Sequence, residues 1–465
     1  MKNRLRSKSF VVASVLALAP AGASADPLRI LSPLALFSRC YTHLTQLRLP
    51  PNHPKRAAVV AGTLSPVDAC MQILAEANLN PSTGKVASTV SVNGVNESLA
   101  VLQNFNSLHL NFTGNSDLQD SVPMGIIHPM LRANLDETAF ALYFTNNLFT
   151  PTASVDQIVT GTVPMEAVRS NGRYIASFPL PTVTLGVQTG TFLGVMPMPA
   201  DKLAVSAPSS DGPQKINLSQ GGGVLGDPAY LALNFGGDER KPNGGLAMPR
   251  RWAKAVYADL LCRSIPVVRL GDGTANIQKT TTTSTPPFRF GAKCMQCHAT
   301  IDGAAGTARN FYFLHSYDQG AGSTWAELLA HTTPTKAAET GTVDADPSWY
   351  QRPPNGRFYF RSYDGTLNDS PVVSIADLGS KIAQTNDFYA CTAARYFKYF
   401  TGITANLQDI GDSALPPLTS ADLYYRNLVI QMGQNLKAKK NLQSLIREIL
   451  SSAPYQRESL RTNGN

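Results

Sequence analysis

The chain has 465 residues, 43% hydrophobic and 15% charged, which is enough apolar material for real cores and excludes a disordered polyelectrolyte. Its formal charge is +8, but Lys2, Arg4, Arg6 and Lys8 supply four of those charges, leaving +4 on the rest. With no arginine-rich stripe interleaved with aromatics, that small excess argues against nucleic acid as a partner.

Residues 1–25 have the three parts of a secretory signal peptide: a basic start, an apolar run from Phe10 to Leu18, and small residues ending in Ala23-Ser24-Ala25. The run is about half of the roughly 20 residues that a spanning helix needs, and no later segment has an unbroken apolar run of that length. No cysteine follows closely enough for lipidation. The expectation is a periplasmic or secreted protein without a transmembrane segment, beginning near Asp26.

We divide the remainder into a 26–215 region of α+β character and a helical 216–465 domain, so the predicted fold class is mixed, mainly α. From Ser32 to about Leu79 the pattern is helical. Ser32 is a candidate cap with Pro33 first in the helix, and Leu34, Phe37, Tyr41 and Leu44 recur at helical spacing. The Pro50–Pro54 segment breaks that run, and Cys70, Ile73, Leu74 and Ala77 predict another helix. Pro181–Val187 alternates β-branched and apolar residues and predicts a strand or hairpin. Residues 205–223 read as a loop and a domain boundary. Overlapping its end, Gly221–Gly226 fits GxGxxG, but no βαβ context surrounds it and no nucleotide is implied.

Trp252, Val256 and Leu260 recur every four residues, predicting a helix between Pro249 and Pro266. A low-complexity Thr/Pro tract, 279–287, reads as a surface loop. Then comes Cys294-Met295-Gln296-Cys297-His298, the CxxCH signature of covalent haem attachment. Two thiols three residues apart can each add to a haem vinyl group, and the next imidazole then reaches the iron from the same side. A thioredoxin-like pair would sit between strand and helix, and structural zinc would need a second ligand pair, so both fit less well. The motif occurs once, predicting a single haem c with Cys294 and Cys297 as thioethers and His298 as proximal ligand. Candidates for the distal ligand are Met432, His315, His331 and Met248. Cys40-Tyr41-Thr42-His43 has only one thiol and reads as a core cysteine beside a surface histidine.

Beyond the motif, Ser374 is a candidate cap for a helix using Ile375, Leu378 and Ile382, and Phe388, Cys391, Ala394 and Phe397 form a second apolar stripe closed by Gly402. A last helix uses Leu442, Leu445, Ile446, Ile449 and Leu450 and ends before Pro454. The four cysteines outside the motif are Cys40, Cys70, Cys262 and Cys391. Local closure favours Cys40 with Cys70, leaving Cys262 to Cys391, with buried free thiols as the alternative.

From about Gly222 to Tyr455 the ordered segments GGVLGDPAYLALNFG, RRWAKAVYADLLCRSIPVVR, CMQCHATID, LGSKIAQTNDFYACTAARYFKYFTGI and NLQSLIREILSSAPYQ resemble an uncharacterised family of exported monohaem c-type cytochromes, abundant in planctomycetes and in predatory and other Gram-negative bacteria. The resemblance implies haem on Cys294, Cys297 and His298 and structural importance for Cys262 and Cys391; no established activity comes with it. After Asp302 the chain departs from the family pattern, with Gly303-Ala304-Ala305-Gly306 in place of Pro, Gly and an acidic, aromatic run. No GxSxG or HExxH arrangement supports hydrolase chemistry. The leading expectation is electron transfer with a redox partner protein. The alternatives are a haem-dependent oxidoreductase with its substrate site in residues 26–215, and an envelope interaction protein with a structural haem.

Overall fold

The computed structural model describes residues 29–77, 88, 90–112, 154–161, 163–170, 173–177, 183–185, 188–193, 196–198, 214–226, 249–280, 287–309, 311–318, 324–332 and 352–458. The signal sequence, most of the Thr/Pro tract and Met248 lie outside them. Among the described residues the fold is mainly helical, and no helix is long and apolar enough to cross a membrane.

Pro33–Thr45 begins as its sequence predicts: the Ser32 side chain accepts from the Ala35 N–H, and Pro33, which has no N–H to leave orphaned, occupies the first turn. The segment expected only to break the chain also starts a helix, Pro54–Val60. His53 caps it, accepting from the Lys55 N–H through Nδ1 and donating from Nε2 to buried Glu97 at 2.8 Å. Pro66–Glu76 packs on the first helix, where Cys40 and Cys70 form a disulfide with Cα atoms 6.3 Å apart. His43 is not a surface residue. Its Nδ1 lies 3.2 Å from the Tyr455 hydroxyl, and its ring packs among those of Tyr399, Phe400 and Tyr455.

The expected hairpin forms, Val183–Leu185 pairing antiparallel with Gln188–Leu193. The reading of 205–223 as loop needs correction, because Gln214–Gln220 is a strand paired with Val163–Ser170. Its Lys-Ile-Asn-Leu-Ser run alternates polar and apolar residues, a period the neighbouring glycines obscured. That strand lies at one edge of a five-stranded sheet whose order continues through Val163–Ser170, Arg173–Ser177, Thr324–Thr332 and Phe311–Asp318. Strands from both sides of residue 215 therefore share one sheet. The glycine run that follows is a packing device. A Cβ on Gly222, whose φ is +93°, would meet Ile375 Cγ2 at 2.6 Å, and one on Gly223 would meet the Ile158 carbonyl.

In the C-terminal half, Arg250–Leu261, Ile375–Gln384, Asn386–Thr401 and Leu442–Ser451 are helices where the apolar periodicity places them. Ser374 caps the second of these through the Asp377 N–H, and Gly402 closes the third in the left-handed conformation. Cys262 and Cys391 join the first to the third, their Cα atoms 5.2 Å apart. Two further elements are a 20-residue helix, Ser420–Lys439, and a hairpin pairing Gly356–Arg361 with Leu367–Val372. The chain closes on itself where Ile30 bridges Arg457, the Leu31 N–H donates to Gln456 O, and the Glu458 N–H donates to Arg29 O.

Candidate functional site

The motif occupies one helix, Ala292–Ala305, entered through a short turn at Pro287–Phe290 with Gly291 at the cap. Side chains three and four positions apart share a helix face. Met295 and Ala299 point into the core, whereas Cys294, Cys297 and His298, at i, i+3 and i+4, form the adjoining stripe, which solvent reaches in part. The helix is held from three sides, by Arg250–Leu261, by Leu270–Thr280 and by the Gly356–Arg361 strand. On the strand side Thr300 donates to the Tyr359 carbonyl at 2.7 Å.

Glycines on both sides make this close approach possible. A Cβ on Gly303 would come within 2.7 Å of Arg357 O, and one on Gly306 or Gly356 would overlap the facing backbone at Asn355 or Gly303.

Both motif thiols are free, with Cys294 exposed and Cys297 half-buried. Burial, and then the neighbouring Cys294, push the Cys297 thiol above its ordinary value. Among the described residues, moreover, no three His, Cys, Asp or Glu side chains converge in the way a metal ion held by side chains alone would require.

His298 is 25% exposed, and its Nδ1 lies 3.2 Å from Asp302 Oδ2, one turn further along the same helix. The Phe288 ring packs against the imidazole, centroids 4.7 Å apart. Asp302 is buried and receives three further hydrogen bonds: Arg250 Nε to Oδ1 at 2.6 Å, Arg250 Nη2 to Oδ2 at 3.2 Å and Arg289 Nη2 to Oδ2 at 2.8 Å. Burial alone would push this carboxyl up. The bonds from His298 and Arg250 and the charges of Arg250 and Arg289 outweigh it and hold the group below the usual carboxylate range. An ionised carboxylate only accepts, so the hydrogen of the neutral imidazole sits on Nδ1 and the Nε2 lone pair is left available. Among the described residues Nε2 has no hydrogen-bond partner.

Two thiols on one turn, an imidazole between them and the core with Nε2 available, and the Asp302 carboxylate fixing its tautomer are donors of the kind haem c would require. Asp302, Arg250, Arg289 and Phe288 were not singled out as site residues from sequence. The spacing of Asp302, four residues after His298, was the available signal. Of the distal candidates, Met432 is a core residue of Ser420–Lys439, beside Gly433, which packs on the backbone of Ala390. His315 pairs with Glu327, and His331 with Phe311 and Tyr174, in the five-stranded sheet. No family model, curated protein or solved structure matches the chain.

Proposed function

We propose that the chain is an exported c-type cytochrome carrying one haem, bound through thioethers at Cys294 and Cys297 with His298 Nε2 as the proximal iron ligand, and that it exchanges single electrons with a redox partner protein. The observation that carries this reading is the Cys294–Cys297–His298 stripe with the imidazole already oriented through Nδ1. Bound there, haem would supply a one-electron couple at its iron. The chain's own part is to present two free thiols on one turn, to hold the ligand tautomer through Asp302, and to keep the helix rigid against the 356–361 strand. The charge pattern and the basic, apolar and small-residue parts of residues 1–25 support export, which is where such attachment is completed.

The test is expression of the full chain with a c-type maturation system. The denatured protein should keep its haem stain on a gel, Cys294→Ala or Cys297→Ala should lose most of it, and unaltered protein that loses all its haem on denaturation would overturn the proposal. In the haem-loaded protein, a reduced spectrum that ignores carbon monoxide marks an electron carrier, whereas carbon monoxide binding marks a haem-dependent oxidoreductase.

A further inference from the structure

We infer that Asp302 is a positioning residue that sets the redox balance of the site, favouring the oxidised iron by polarising His298; this rests on the reading of Cys294, Cys297 and His298 as the haem site. The geometry is specific. Cys294, His298 and Asp302 follow one another at four-residue intervals on a single helix, so the carboxylate is presented to Nδ1 by the same turns that present the thiol and imidazole. Two arginines from outside the helix fix the carboxylate: Arg250, on a neighbouring helix, and Arg289, on the entry turn.

Charge and burial give the direction. An anion accepting the Nδ1 hydrogen draws that proton outward and raises the electron density offered through Nε2, which stabilises ferric over ferrous iron. Asp302 is only 9% exposed, so water screens this interaction weakly. Arg250 and Arg289 act in the opposite sense, because each draws charge from the carboxylate oxygens. The pair lets the buried anion persist while limiting how much of its charge reaches the imidazole. A neutral hydrogen-bond acceptor at this position would orient the ring equally well but would not shift the balance as far. The distinguishing prediction therefore concerns the charge on residue 302.

The experiment is a potentiometric titration of the haem-loaded full chain, of Asp302→Asn and of Arg289→Gln. At the potential where the unaltered protein is half reduced, Asp302→Asn should raise the ratio of reduced to oxidised haem at least tenfold, about 59 mV for a one-electron couple. Arg289→Gln, which keeps the carboxylate and removes one of its counter-charges, should move the ratio the other way. Ratios within about twofold of the unaltered protein, or shifts of both variants in one direction, would overturn the inference while leaving haem attachment intact. If Asp302→Asn fails to fold or to take up haem, the Arg289→Gln measurement decides alone: a shift toward oxidised haem supports the inference, and no shift overturns it. An unaltered chain that never acquires covalent haem sinks the underlying reading instead.

Discussion

His43 shows how one residue changes meaning once its neighbours are known. In sequence it is a histidine three positions from a lone cysteine; in the fold it is wedged between the first helix and the aromatic side chains of the C-terminal helices. Burial, and then the nearby Arg39 charge, push its imidazole down to about 4 from 6.5. The neutral form is thus the one the fold accepts. Between about 6.5 and about 4 the unfolded chain takes up a proton that the folded chain refuses, so stability falls as pH falls across that window and the loss levels off below it. The thermal midpoint should decline more steeply over this range in the unaltered protein than in His43→Leu, and equal slopes would show that another group is responsible. Asp302, Asp272 and Asp409 are held below the ordinary carboxylate range, so their contribution is lost mainly at lower pH; Asp387, pushed up by burial, acts in the opposite sense, and the comparison with His43→Leu removes both from the difference.

Among the elements, the Cys262–Cys391 bridge joins the end of Arg250–Leu261 to the middle of Asn386–Thr401 across 129 residues, and the motif helix lies inside that loop. In the chain-entropy model, closing a loop of this length stabilises the fold by about 4–5 kcal/mol. The Cys262→Ala/Cys391→Ala double variant should lose roughly that much in urea unfolding, and a loss below about 1 kcal/mol would mean that the helices are held by packing alone. The pairing itself was legible because two cysteines belonged to the motif and local closure favoured Cys40 with Cys70. Helices were legible wherever one apolar face alternates with caps, as at Ser32 and Ser374. The Gly356–Arg361 hairpin was less so, although Asp364-Gly365 between aromatic and polar runs is a turn signal of the right kind. Its function as a wall against the motif helix depends on Gly303, Gly306 and Gly356 meeting across some 50 residues, and no local pattern encodes that meeting. The site was legible to the same degree: Cys294, Cys297 and His298 announce themselves by spacing, whereas Arg250 and Arg289 reach Asp302 only after three segments have packed together.

Across the whole molecule, a continuous set of buried side chains runs from Leu36 and Phe37 through Trp252 and Met295 to Tyr455. The Arg39 guanidinium donates to the carbonyls of Tyr455 and Arg457, and Phe105 meets Tyr396, so the first helices cover the same core as the last. A boundary at 215/216 would have to cut this core and the five-stranded sheet as well. Unfolding of haem-loaded protein should accordingly be one cooperative transition, with haem absorbance and helical circular dichroism coinciding, and two resolved steps would mark separate units. The clasp of Ile30 on Arg457 has a topological consequence: among the described residues the backbone is very nearly a ring, with residues 29 and 458 side by side. A short peptide joining 458 back to 29 would complete that ring, and new ends could then be opened in an exposed loop without disturbing the motif helix.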